Sequence, residues 1–114
     1  PVWCTANGFE GYLHWSWMNW TDSPLSDTRF RLFAPGDTYL IYPGPRSSVR
    51  YERFIEGIAL AEKVRLLREE YQRTNNTAVL NQLNEMVSAF QPAGIPQGRT
   101  AAEMVNALQQ LVNK

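Results

Sequence analysis

Residues 11–20 read GYLHWSWMNW and residues 37–42 read DTYLIY. How these two stretches are taken decides the fold. The first opens on Gly11, runs into the turn residues Asp22, Ser23 and Pro24, and is crowded with aromatics, the pattern of a strand. By the two-residue period, Leu13, Trp15 and Trp17 share one face and Tyr12, Met18 and Trp20 the other. A strand that is apolar on both faces is expected in the middle of a sheet. The second stretch is a continuous apolar run halted by Pro43-Gly44-Pro45, which suits a buried parallel strand.

Working outward, Asn7-Gly8 reads as a helix C-cap, since both residues tolerate the left-handed conformation. Residues 1–6 are then the last turn of a helix that began upstream. Residues 21–36 form a loop punctuated by Asp22, Ser23, Pro24, Ser26, Asp27, Pro35 and Gly36, with Phe30, Leu32 and Phe33 as anchors. A loop of this length is expected to be functional or to act as a cover. Ser47 or Ser48 can N-cap a long helix reaching about Arg73. Along it Tyr51, Phe54, Ile58, Ala61, Val64, Leu67 and Tyr71 recur at gaps of three and four. Gly57 in its interior costs about 1 kcal/mol relative to Ala, so a close contact is expected there. Residues 75–77 break the chain. A helix over 78–90 follows, with Leu80, Leu83, Val87 and Phe90 on one side. The loop over 91–99 holds Pro92, Gly94, Pro96 and Gly98. Thr100 and Glu103 then make a capping box for a last helix carrying Met104, Val105, Leu108, Leu111 and Val112.

Composition narrows the function. Of 114 residues, 44% are apolar, enough for a core, and 11 Lys and Arg balance 11 Asp and Glu. That balance argues against an electrostatic grip on nucleic acid, which needs clustered cations, and against a polybasic membrane patch. No apolar run approaches the roughly 20 residues that span a bilayer. No signal peptide is visible at Pro1, and a start there suggests a mature, clipped or excised chain. Cys4 and His14 are the single cysteine and the single histidine. They exclude an internal disulfide and a Cys/His zinc cluster, and no G-x-S-x-G elbow supports a serine nucleophile. No metal and no cofactor are expected. Two strands cannot make a stable sheet by themselves, so their neighbours are expected from an upstream portion of the same polypeptide or from a second copy.

Several motifs occur in order: Gly11-Tyr12-Leu13-His14-Trp15, Trp20, Asp22-Ser23-Pro24, Asp27-Thr28-Arg29, the run from Gly36-Asp37-Thr38 to Tyr42-Pro43-Gly44, Ser48-Val49-Arg50-Tyr51-Glu52, Gly57-Ile58 and Leu66-Leu67-Arg68. Together, over residues 8–68, they resemble the C-terminal part of the glycoside hydrolase 123 group and its DUF4091-domain relatives. The chain departs from that pattern at Met18, where the group often has Asn, and at Leu60-Ala61-Glu62, where it often has Asp-Tyr-Glu. The resemblance implies an α/β fold. Residues 1–73 would be the last two strands and final helix of a (β/α)8 TIM barrel; residues 74–114 lie outside the resemblance and are read from their own periodicity as a C-terminal helical hairpin. It implies hydrolysis of β-linked N-acetylgalactosamine or a related N-acetylated hexosamine glycoside, with the substrate's own acetamido group as nucleophile and an Asp-Glu pair assisting, outside the usual two-carboxylate scheme. That pair lies upstream in such proteins. No adjacent Asp-Glu occurs here, so no catalytic residue is assigned and the chain alone is expected to be inactive. A periplasmic or extracellular location follows from the same resemblance.

Barrel enzymes place functional groups at the C-terminal ends of strands. On that rule Trp17, Asn19, Trp20, Asp22 and Tyr42 are the candidate substrate-binding residues, because an indole face packs on the C–H face of a pyranose while its hydroxyls stay free to bond. Trp20 is assigned to the cleft and Trp15, mid-strand, to the core; Trp17 and Tyr42 fit either. Asp22, Asp27 and Asp37 could accept sugar hydroxyls, act as general acids or simply cap turns, and Asp37 falls at the strand end opposite the cleft, which makes it a poor catalytic candidate. Arg50 and Glu52 are expected to pair near the helix start, and His14 to be a satisfied packing group. Two rival readings stand beside this one, a non-catalytic carbohydrate-binding module and a structural or oligomerisation domain.

Overall fold

The computed structural model describes residues 1–29, 32–91 and 98–114. Among them the chain is helical: α1 (Val2–Ala6), α2 (Val49–Arg73), α3 (Thr77–Ser88) and α4 (Ala101–Val112). It divides into two compact units. One comprises Pro1–Tyr12 with Gly57–Lys114, the other Leu13–Glu56. Phe30 and the Pro92, Gly94 and Pro96 of the expected second loop lie outside the described residues.

The barrel expectation is overturned. Among the described residues neither 11–20 nor 37–42 forms a strand. They meet in one isolated bridge, Met18 with Tyr39, and it is antiparallel, whereas the barrel needs parallel ladders. Around it Asn19 N donates to Thr38 O (3.1 Å) and Leu40 N to Trp17 O (2.9 Å). The physical reason lies in the polar ends of the side chains. Side-chain groups share or occupy carbonyls a ladder would use: Ser16 Oγ donates to Thr38 O, which also accepts from Asn19 N, Trp20 Nε1 donates to Ile41 O, both side-chain bonds at 2.8 Å, and His14 Nε2 sits 2.8 Å from Asp37 O. Side-chain bonds of this kind offer backbone an alternative to sheet pairing. Nor is the first stretch buried on both faces, since Leu13 is 88% and Met18 57% exposed.

The helices fall where the periodicity put them. α1 closes in a Schellman turn. Phe9 N donates to Cys4 O (2.9 Å) and Gly8 N to Thr5 O (3.4 Å), with Gly8 at φ +74°, and the ring of Phe9 stacks on Trp3 at 5.6 Å. α2 is capped by Ser48, whose Oγ accepts from Tyr51 N (3.1 Å) and donates to Leu40 O (2.6 Å). It ends in a second Schellman turn, Asn76 N to Tyr71 O at 2.9 Å, with Asn75 at φ +54°. Gly57 serves close approach as expected: a Cβ there would lie 3.1 Å from the Pro1 ring.

The core of the first unit gathers Val2 from α1, Leu60 and Val64 from α2, Leu83 and Val87 from α3, then Phe90, and Met104, Leu108 and Val112 from α4. Each such side chain stabilises by roughly 1.5–3 kcal/mol on burial. Arg68 Nε to Asn84 Oδ1 (2.8 Å) and Lys63 Nζ to Asn113 Oδ1 (2.5 Å) tie α2 to α3 and to the end of α4. The capping box of α4 is complete. Glu103 N donates to Thr100 Oγ1 (3.2 Å) and Thr100 N to Glu103 Oε2 (2.7 Å), and the latter bond holds the Glu103 carboxyl below its usual range. Thr100→Ala is expected to destabilise the first unit by about 1 kcal/mol, measured as a shift in urea midpoint at unchanged m-value. A change in m instead would mean that the helix end frays independently.

Candidate functional site

The candidate residues all lie in the second unit, where a small buried centre of Thr38, Tyr39 and Leu40 organises the surrounding loops. Tyr39, fully buried, donates its hydroxyl to Pro24 O (3.0 Å) and meets the Tyr42 ring edge-on at 5.1 Å. Arg50 Nη2 donates to Tyr39 O (2.8 Å), and the guanidinium stands 5.9 Å from the Tyr39 ring centre. Glu52 bonds Ser47, so the expected Arg50–Glu52 pair does not form. Thr38 Oγ1 is buried without a hydrogen-bond partner among the described residues.

Trp17 is half-buried, edge-on to Tyr51 (5.9 Å) and Phe54 (5.7 Å), with its carbonyl accepting from Leu40 and Ile41. Its ring is therefore spent largely on packing. Trp20 is 40% exposed, and its indole N–H is held by Ile41 O. Asn19 is exposed and, among the described residues, anchored through its backbone N–H. Tyr42 is half-buried on Tyr39 and exchanges two backbone bonds with Arg46 across a turn that places Gly44 at φ +75°. The fold thus brings Trp17, Asn19 and Trp20 alongside the segment that ends in Tyr42. Asp22 stays in an exposed turn with no bond to the other four.

Three readings change. Trp15, assigned to the core, is 51% exposed, and its ring stands 4.6 Å from that of Phe33. Asp37 is not remote from the aromatics, because its Oδ2 accepts from Trp15 Nε1 at 3.1 Å. Leu32, read as a loop anchor, is 84% exposed. Asp27 is a turn-forming residue. Arg29 donates Nε and Nη2 to its two oxygens and a backbone N–H besides, and those bonds lower its pKa to about 2. The carboxylate is committed to that turn and is a poor proton donor.

Among the described residues no cluster of three or more His, Cys, Asp or Glu could hold a metal ion, and no helix is long and apolar enough to cross a membrane. Comparison with curated proteins gave no match. A family profile, glycoside hydrolase 123, catalytic domain, matches residues 1–67, more than half of the chain. That match takes in α1, the whole aromatic unit and most of α2, and by it the chain belongs to the glycoside hydrolase 123 family.

Proposed function

We propose that this chain supplies part of the substrate wall of a glycoside hydrolase acting on an N-acetylated hexosamine glycoside, through Trp17, Asn19, Trp20, Asp22 and Tyr42. Hydrolysis is substrate-assisted, and the carboxylate pair that assists it lies in polypeptide outside these 114 residues. In this reading residues 1–73 form the hydrolase part and 74–114 an appended helical hairpin. Membership of the family supports the carbohydrate substrate class. The observation that carries the reading is Trp20: its N–H is already bonded to Ile41 O while the ring stays 40% exposed. What it offers a ligand is oriented ring surface, and a fixed aromatic platform binds with less ordering cost than a mobile one.

The test is a titration with methyl N-acetyl-β-galactosaminide, followed by the indole N–H resonances in nitrogen-labelled protein. The Trp20 resonance is expected to shift and saturate, and Trp20→Ala to weaken binding about tenfold. Unchanged affinity in that variant would remove Trp20 from the cleft.

A further inference from the structure

Trp15, Phe33 and Asp37 have no place in the reading above, yet they form a polar-aromatic group on the surface of the second unit. Trp15 is 51% and Phe33 39% exposed, with ring centres 4.6 Å apart and planes inclined by 38°. Two large apolar rings left in water side by side are more often a contact surface than an accident of folding. Beside them stands Asp37, held once through its carboxylate and once through its backbone carbonyl. Asp37 Oδ2 accepts from Trp15 Nε1 (3.1 Å), and its backbone carbonyl lies 2.8 Å from His14 Nε2. A carbonyl can only accept, so Nε2 carries the proton and His14 donates. These two bonds fix the carboxylate against the edge of the indole. Among the described residues, Asp37 Oδ1 has no hydrogen-bond partner.

We propose that Trp15, Phe33 and Asp37 form a pyranose subsite, separate from Trp20, in which the sugar's C–H face lies on the Trp15–Phe33 rings and a ring hydroxyl donates to Asp37 Oδ1. The proposal rests on the carbohydrate reading above for its ligand class and goes beyond it in place. The chemistry excludes the nearest competitors. A phosphate-bearing ligand would meet the Asp37 carboxylate, while the Arg50 guanidinium packed against Gly36 is engaged on Tyr39 O. A purely apolar ligand would leave the carboxylate desolvated without a donor. A pyranose offers both an apolar face and several hydroxyl donors, and a hydroxyl donating to a carboxylate makes a charge-assisted bond.

The four tryptophans give four indole N–H resonances, assigned by single Trp→Phe variants. On titration of the whole chain with methyl N-acetyl-β-galactosaminide, the Trp15 signal is expected to shift with saturation while that of Trp3 stays in place. Asp37→Asn keeps an oxygen for Trp15 but removes the charge, and it should weaken the Trp15 response about tenfold. If Trp20 responds and Trp15 does not, the subsite is wrong and the wall proposed above stands. If neither responds, both fall. Choline is the control, since a carboxylate beside an indole can also hold a quaternary ammonium. A Trp15 shift with choline and none with the glycoside would overturn the sugar assignment.

Discussion

Leu108→Ala is expected to lower the stability of the first unit by about 3–4 kcal/mol, the upper range for removing a leucine from a closed core. Leu108 is fully buried, and the side chains clustered with it come from every helix of the unit: Val2, Leu60 and Val64, Leu83 and Val87, Met104 and Val112. A cavity at a fully buried site collapses poorly, because closing it requires the packed neighbours to shift together. Against a total stability of roughly 5–15 kcal/mol, the loss takes a large share, and the midpoint of a thermal melt should fall by on the order of 10 °C or more. Helical circular dichroism is the readout. Leu108→Met, which keeps the volume, should cost under about 1.5 kcal/mol, and Asn106→Ala on the exposed side of α4 should cost almost nothing. A loss below about 1 kcal/mol for Leu108→Ala would mean that α4 does not close this core.

The helical unit was largely legible because its signals are local. Thr100 and Glu103 announce their own cap, Asn7-Gly8 its own helix end, and the three-and-four spacing through Val64, Leu67 and Tyr71 marks a face before any partner is known, although Ile58 on that face is 48% exposed and the buried Leu60 lies off it. The aromatic unit was not legible in the same way. GYLHWSWMNW has strand composition, but its indole, imidazole and hydroxyl donors reach across to carbonyls of residues 37, 38 and 41. A two-residue period cannot distinguish a strand in a full backbone ladder from an extended segment held by one bridge and several side-chain bonds. The same ambiguity misplaced Trp15. Mid-strand position implies burial only where a sheet exists to bury it, and none forms among the described residues. Trp20, assigned to the cleft as the end of a barrel strand, is 40% exposed, but the strand that argued for it does not form. Arg50 reaching Tyr39 O spans two segments with no shared periodicity, so no sequence signal could have found it.

That Arg50 contact makes Gly36 the most sensitive backbone position in the second unit, and Gly36→Ala is expected to cost about 2–4 kcal/mol. Two effects add. Gly36 sits at φ +80°, where any L side chain clashes with its own backbone, at a cost of roughly 1–2 kcal/mol. The new methyl would also stand 2.6 Å from Arg50 Nη1 and 2.9 Å from its guanidinium carbon, inside contact distance. The guanidinium is the mobile end of a long side chain and can retreat, but doing so breaks its 2.8 Å bond to the carbonyl of the fully buried Tyr39. Near-ultraviolet dichroism reads this unit directly, since Trp15, Trp17 and Trp20 all lie in it. The signal should melt earlier in Gly36→Ala and at the unaltered temperature in Gly11→Ala, where a Cβ meets nothing within 4 Å and φ is not positive. A double-mutant cycle with Arg50→Ala separates the two effects. With Arg50 already removed, the methyl has nothing to displace and only the dihedral cost remains, so Gly36→Ala should cost about half as much there. Equal cost in both backgrounds would show that Gly36 serves the turn alone, and that the Arg50 contact is incidental to it.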